Sequence, residues 1–338
     1  MSHATSPEKS APTICIRCVD LEGAQRFYVD ELGFRLKGLY PADAPRSVLL
    51  EGYGVGLQLS TADEGLAAIR PLATSLELEA PLITHASDGD AWSDGRAGMR
   101  YRDLLPTRLG GALIASHIRI PHGGPVPDYV HYHDVHFQFI YCLSGWVRLL
   151  YEDQGEAFLM RAGDCVVQPP GLRHRVLECS DGFDVVEFSS PAEHMTWVEH
   201  ELDLPNDHRS PGYRGGQTFL HFQAEHAAWA TDWQVGWKSR STGTLEATGG
   251  MASLALLAPS GANDSTAASA RSGAGALLFN PSRAVITGVV TRGSAELSLG
   301  THPRELVVAG SAFACAGNTS VSFAGASADF QWLALEFD

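Results

Sequence analysis

Residues 131–145 read HYHDVHFQFIYCLSG, and seventeen residues further on residues 163–174 read GDCVVQPPGLRH. His131 and His133 stand two apart, so on a β-strand they share one face. Gln138 begins the strand that leads to Gly145, which permits a tight turn back into the next strand. Pro169-Pro170-Gly171 makes a turn that brings His174 onto a later strand. Three imidazoles converging inside a barrel make a transition-metal site. The neutral amide oxygen of Gln138 would complete it, donating less charge than a carboxylate and leaving the ion more Lewis acidic. Any one of these histidines alone reads as polar lining, but the spacings match together. His136 is the rival fourth ligand; in this register it falls at the turn before the strand. His122 and His194 read as solvated surface residues.

The surrounding stretch, 111–205, is a run of short strands: GALIASHIRI, VHFQFIYCL, WVRLLYE, AFLMRAG, DCVVQPP, HRVLEC and FDVVEFSS. Short strands with frequent turns predict an all-β sandwich or barrel. AEHMTWVEHELDLP follows, and reads as a short closing helix and an exit strand. Within LIASHIRI one face carries Ile114, Ile118 and Ile120 and the other His117 and Arg119. This alternation places His117 and Arg119 in the lumen near the metal. There His117 would serve as acid/base or extra ligand and Arg119 would hold an anionic substrate; a hydrogen-bonded lining pair is the plain alternative. Tyr141 and Tyr151 read as packing residues.

His131-x-His133-x4-Gln138-x6-Gly145 and Gly163-x5-Pro169-x-Gly171-x2-His174 resemble the two motifs of the cupin superfamily. Gln138 stands where that family usually has Glu, and Glu178 where its second motif usually ends in Asn. The resemblance implies a double-stranded β-helix, or jelly-roll barrel, holding one divalent metal. Iron(II) is favoured, with zinc, nickel, manganese or copper as alternatives.

Residues 209–338 repeat this segment in register. Gly293 matches Gly145 and Gly310 matches Gly163. The two first His positions then fall on Phe279 and Pro281, the Gln position on Ile286 and the last His position on Val321. All four are apolar, and Ala316-Gly317-Asn318 replaces the PxG turn. A duplicated barrel that has lost its metal is expected, with a structural role. The stretch 260–276 is low-complexity and reads as a mobile loop.

Upstream, 12–62 reads strand, helix, then three strands, with Leu21, Ala24, Phe27, Tyr28 and Leu32 at helical spacing and Gly33 ending the helix. VDLEGAQRFYVDELGF resembles the opening of a glyoxalase/bleomycin-resistance (vicinal oxygen chelate) module. That family's first-strand His falls here on Thr13, and no His occurs between residues 4 and 84, so this module is expected to bind no metal. A single βαβββ unit leaves a sheet face to be covered, by a second chain in a homodimer or by a barrel of its own chain. The fold class is therefore mainly β: two cupin barrels plus an N-terminal α+β module. The expected boundaries are a disordered arm at 1–11, the module at 12–62, a connector at 63–110, the metal-binding barrel at 111–205 and the metal-free barrel at 209–338.

A formal charge of −15 with no Lys/Arg cluster argues against nucleic acid as a partner. No apolar run approaches the roughly 20 residues that span a bilayer. The first residues lack an apolar core of the signal-peptide kind, which points to the cytoplasm. The six cysteines are then free thiols. Cys15-x-x-Cys18 lies in a strand pattern that points the two side chains to opposite faces. The function expected is a metal-dependent enzyme on a small organic molecule, first of all a mononuclear non-haem iron dioxygenase. The alternatives are non-redox lyase, isomerase or cyclase chemistry, or a non-catalytic small-molecule binder.

Overall fold

A computed structural model describes residues 12–61, 76, 78, 80–87, 92–206, 215–260, 277–279 and 283–338. The arm expected at 1–11, and the loop expected at 260–276 beyond Ser260, lie outside these residues, as does Pro281. Among the described residues no helix is long and apolar enough to cross a membrane.

The first barrel is built from two sheets. One runs in the order Leu220–Phe222, Cys165–Val167, Phe137–Ser144, Phe183–Ser190, Ile114–Ile120, Arg100–Asp103, Ser93–Asp94. Facing it are Thr196–Val198, His131–His133, His174–Cys179, Trp146–Tyr151 and Phe158–Arg161 in that order. Period-two alternation decides where each side chain goes. Along Phe137–Ser144, Phe137, Phe139 and Tyr141 join the core shared with the second barrel, while Gln138 and Ile140 line the lumen of the first.

The second barrel has the same design. Ala252–Pro259, Gln331–Phe337, Val285–Arg292 and Ala312–Ala316 form one sheet, extended by Trp237–Ser241 and Ala230–Gln234. Leu277–Phe279, Val321–Ala324, Ser294–Leu299 and Glu305–Val308 form the other. The barrels pack sheet on sheet. Phe137, Phe139 and Phe188 meet Leu254, Leu333, Leu335 and Phe337 in one buried cluster, with the Phe137 and Phe337 rings 5.7 Å apart. Burying one such side chain contributes about 1.5–3 kcal/mol.

Strands cross the expected boundaries. From the connector, Leu82–Thr84 pairs with Ala312–Ala316 of the second barrel, and Arg100–Asp103 pairs with Ile114–Ile120 of the first. Leu220–Phe222, beyond residue 209, pairs back onto Cys165–Val167.

The N-terminal module runs Thr13–Arg17, the helix Leu21–Arg26 with a π turn at Phe27–Glu31, then Arg35–Tyr40, Ser47–Gly52 and Val55–Ser60. Asp20 caps the helix, its Oδ1 accepting from Gly23 N at 2.9 Å, and Gly33 leaves it at φ 75°. Its sheet does not stop at its own edge. Arg35–Tyr40 pairs antiparallel with Thr196–Val198, whose other side pairs with His131–His133. The module thus braces the first barrel of its own chain. Gly38 permits this approach, because a Cβ there would lie 2.8 Å from Met195 Cε and 3.1 Å from Thr196 O. The same pairing corrects the closing helix expected after residue 191. Hydrogen-bonding edges on both sides hold Thr196–Val198 as a strand, overriding its local helical pattern.

Candidate metal centre

His131 and His174 sit opposite each other on neighbouring antiparallel strands, and His133 follows on the face of His131. The ring centroids are 4.2 Å apart for His131–His174, 5.2 Å for His131–His133 and 5.3 Å for His133–His174. One nitrogen from each lies within 4.8 Å of the others, and all three residues are buried.

Each of the three rings is held through one nitrogen. His131 Nδ1 donates to Tyr129 O at 2.8 Å and His174 Nδ1 to Leu172 O at 3.0 Å. A carbonyl can only accept, so the proton is on Nδ1 and the lone pair on Nε2. His133 Nδ1 is 3.1 Å from Thr196 Oγ1. Asp128, whose side chain is wholly buried, places Oδ1 3.6 Å from His131 Nδ1 while Oδ2 accepts from Val176 N. A carbonyl behind His131 and His174, and a hydroxyl behind His133, give the outer hydrogen bonding that orients metal-ligating histidines.

Gln138 is 2 % exposed. Its Nε2 donates to Glu187 Oε1 at 2.8 Å, and its Oε1 is buried with no hydrogen-bond partner among the described residues. A buried amide oxygen without a partner, on the cavity that the three converging imidazoles also line, makes a group of donors suited to a divalent transition metal. Glu187 also accepts from Ser189 Oγ at 2.7 Å. Its carboxylate therefore stands one residue behind the amide, where it can balance part of an ion's charge. The sequence reading did not single out Glu187, which lies within the strand FDVVEFSS. His136 is exposed, with its carbonyl rather than its ring engaged, by Gln217 Nε2; it is not part of the cluster.

Two expectations are corrected. His117 and Arg119 do not face the lumen. Ile114, Ser116, Ile118 and Ile120 line it, and His117 and Arg119 lie on the other face. There Arg119 Nε donates to Asp184 Oδ1 at 2.6 Å, His117 Nε2 is 3.2 Å from the same oxygen, and the Arg119 guanidinium lies 4.9 Å from the Trp92 ring centroid. The alternation was read correctly but turned inside out, because most of this lumen is apolar. Burial alone would raise the Asp184 carboxyl, but the hydrogen bonds from His117 and Arg119 outweigh it and hold it down to about 2. The second correction is His194, which is not solvated. It is 4 % exposed and lines the cavity, its ring 5.4 Å from that of His133.

The cavity itself measures about 100 Å³. Among the described residues no Lys or Arg lines it. Tyr151 closes one side, stacked on His174 at 5.4 Å, with its hydroxyl accepting from Gln168 Nε2 at 2.9 Å. Burial pushes the Tyr151 phenol far above its usual range, so it stays protonated.

Comparison with known proteins agrees with this geometry. Residues 116–188 match the family model described as Cupin domain. The fold is that of cupin jelly-roll barrels. Among solved structures, a deletion mutant of oxalate decarboxylase OxdC from Bacillus subtilis is similar at TM-score 0.55 and 14% identity, covering 76% of this chain and 77% of that one. The putative glyoxylate induced protein from Pseudomonas aeruginosa aligns at TM-score 0.52 and 12% identity, over 80% of this chain and 93% of that one. Protein Ylba from E. coli aligns at TM-score 0.52 and 12% identity, over 79% and 94%. At these identities the likeness is one of fold. No curated protein sequence matches the chain.

Proposed function

We propose that His131, His133, His174 and Gln138 hold one divalent transition metal and that the chain is a metal-dependent enzyme acting on a small organic molecule in the first barrel. The observation that carries this reading is the convergence of three buried imidazoles, one nitrogen of each within 4.8 Å of the others, on the cavity that also holds the unpartnered Gln138 Oε1. Such an ion supplies Lewis acidity and, if it is iron, redox chemistry with dioxygen. The protein's part is to exclude water with an apolar lining and to hold the four donors rigid. Glu187 fixes the amide so that its oxygen, not its nitrogen, faces the cluster.

A mononuclear iron(II) dioxygenase is the first reading, because four donors leave positions open to both substrate and dioxygen. The non-redox reading is favoured by one observation: all four donors are neutral, with the nearest carboxylate, Glu187, one residue behind Gln138, which leaves the ion more Lewis acidic than a directly bound carboxylate would. The oxalate chemistry named for the OxdC neighbour is not carried over, since among the described residues no Lys or Arg lines this lumen to receive the second charge of a dianion. The metal present in protein purified from its native host, followed by oxygen uptake in the presence of that metal and candidate substrates, tests this. Iron with uptake supports the dioxygenase. Zinc, nickel or manganese without uptake overturns it in favour of lyase, isomerase or cyclase chemistry.

A further inference from the structure

One end of the cavity is not made by the barrel alone. Ala42 and Asp43, from the loop after Arg35–Tyr40 of the N-terminal module, line it beside Ala192 and His194. The two segments are tied together. Ala42 N donates to His194 O at 3.1 Å, Tyr40 Oη to Glu193 Oε2 at 3.1 Å, and Arg46 to both Glu193 oxygens at 2.8 and 3.0 Å. Burial would raise the Glu193 carboxyl, yet these bonds hold it below the usual carboxylate range.

Two polar atoms at this end have no partner among the described residues. His194 donates from Nδ1 to Pro191 O at 3.0 Å, so its Nε2 carries a lone pair, and that nitrogen is buried and unengaged. Asp43 receives Arg108 on Oδ2 at 2.6 Å, while its Oδ1 is buried and unengaged. Both are acceptors. Leaving a buried acceptor unsatisfied costs about 1–3 kcal/mol, so two on one small cavity mark a place prepared for hydrogen-bond donors. His194 lies outside the group of three whose nitrogens converge. Arg108 is shared between Asp43 at 2.6 Å and Asp103 at 2.8 Å, and most of the cavity lining is apolar, where a charged ligand would be costly to desolvate. The site therefore favours a neutral donor over a cation.

We infer that Asp43 and His194 form the specificity end of the substrate site, taking a hydroxyl or N–H donor of a small neutral molecule whose neighbouring atom reaches the three-histidine cluster. This rests on the proposed function for the cluster, and it assigns the N-terminal module a role: it supplies half of the recognition surface. The small cavity limits the ligand to a few heavy atoms.

Pyrazole and 1-methylpyrazole are suitable probes. Both offer a ring nitrogen to the cluster, and only pyrazole keeps an adjacent N–H. Their binding is followed by ligand-observed NMR to full-length protein, zinc-loaded and zinc-free, as wild type, His194→Phe and Asp43→Asn, with circular dichroism confirming the fold. Wild type should prefer pyrazole by about tenfold, the worth of one hydrogen bond. His194→Phe should bring that preference near unity and Asp43→Asn should reduce it. Equal affinity of the two probes for wild type, or an unchanged preference in both variants, overturns the inference. Zinc content of the same samples reports separately on the metal reading: protein that takes up no zinc contradicts that reading, while the probe preference in zinc-free protein still decides this one.

Discussion

The two barrels share a register almost residue for residue, and differ in what fills them. Gln138 pairs with Ser189 in the first as Ile286 pairs with Glu336 in the second, and His131 faces His174 as Phe279 faces Val321. The turns match as well. Gly145 and Gly293 stand at φ 72° and 68°, and a Cβ on either would lie 2.3 Å from a serine hydroxyl, Ser180 or Ser327. Each serine in turn accepts from the backbone N–H after its glycine, Trp146 or Ser294. Inside, the correspondence ends. Val166, Val176 and Val185 of the first barrel become Phe313, Phe323 and Trp332, and Glu187 becomes Ala334. The three aromatic rings pack with centroids 5.0–6.0 Å apart and fully bury one another. Gly288 yields to Trp332, for a Cβ there would come 2.0 Å from the indole nitrogen. One backbone thus gives a chamber with a histidine cluster in it or a solid core, depending on a few inward positions.

This contrast can be broken most sharply at the cluster. His174→Ala should lower metal affinity by more than the roughly 10–100-fold that loss of an outer-shell partner costs, with competition against a chromophoric chelator as the readout. Retention of tight binding would mean the three imidazoles do not act together.

The reverse experiment empties the second barrel. Trp332→Val installs the residue that the first barrel carries at 185 and should cost about 3–5 kcal/mol of stability, the usual penalty for truncating a buried aromatic. Urea denaturation monitored by circular dichroism measures it. A change under about 1 kcal/mol would show that the ring is not what holds this barrel closed.

Smaller effects sharpen the fourth donor. Gln138→Ala should weaken metal binding by less than His174→Ala, since an amide oxygen is a poorer ligand than imidazole. Glu187→Gln should weaken it by about 10–100-fold, because the amide is then free to turn. If Gln138→Ala is as damaging as His174→Ala in folded protein, the ranking is wrong.

Asp184 supplies the weakest test and lies outside both lumens. Its folded value near 2 is below the ordinary 3.8, so the stability it contributes is present above about pH 4 and is lost as pH falls towards 2. Asp184→Asn should therefore be less stable than wild type at neutral pH by about 1 kcal/mol, with the gap closing between about pH 4 and 2. A gap independent of pH would assign the loss to packing instead.

Much of this was legible in the residues. The HxH spacing, the glycines at the turns and the proline-glycine turn before His174 brought His131, His133 and His174 together and put Gln138, not His136, on the cavity. The same counting located Ile286 and Val321, both fully buried. What was not legible has a common cause. The alternation in Ile114–Ile120 separates two faces without saying which is inside, and an apolar lumen reverses the usual assumption. His194 was hidden because the strand after it reads as helical until its two neighbours are known. Glu187 carries no mark in an alternating strand, because its place on the cavity depends on Gln138 and Ser189, the partners that hold it. The sequence carries no mark that Asp43, 151 residues from His194, would meet it across a cavity.

The most direct test of the account is the number and place of metal ions in the wild-type chain. Elemental analysis after loading and desalting should give one equivalent, and anomalous diffraction should place its peak among His131, His133 and His174. Two equivalents per chain, or a peak beside Val321 in the second barrel, would contradict it.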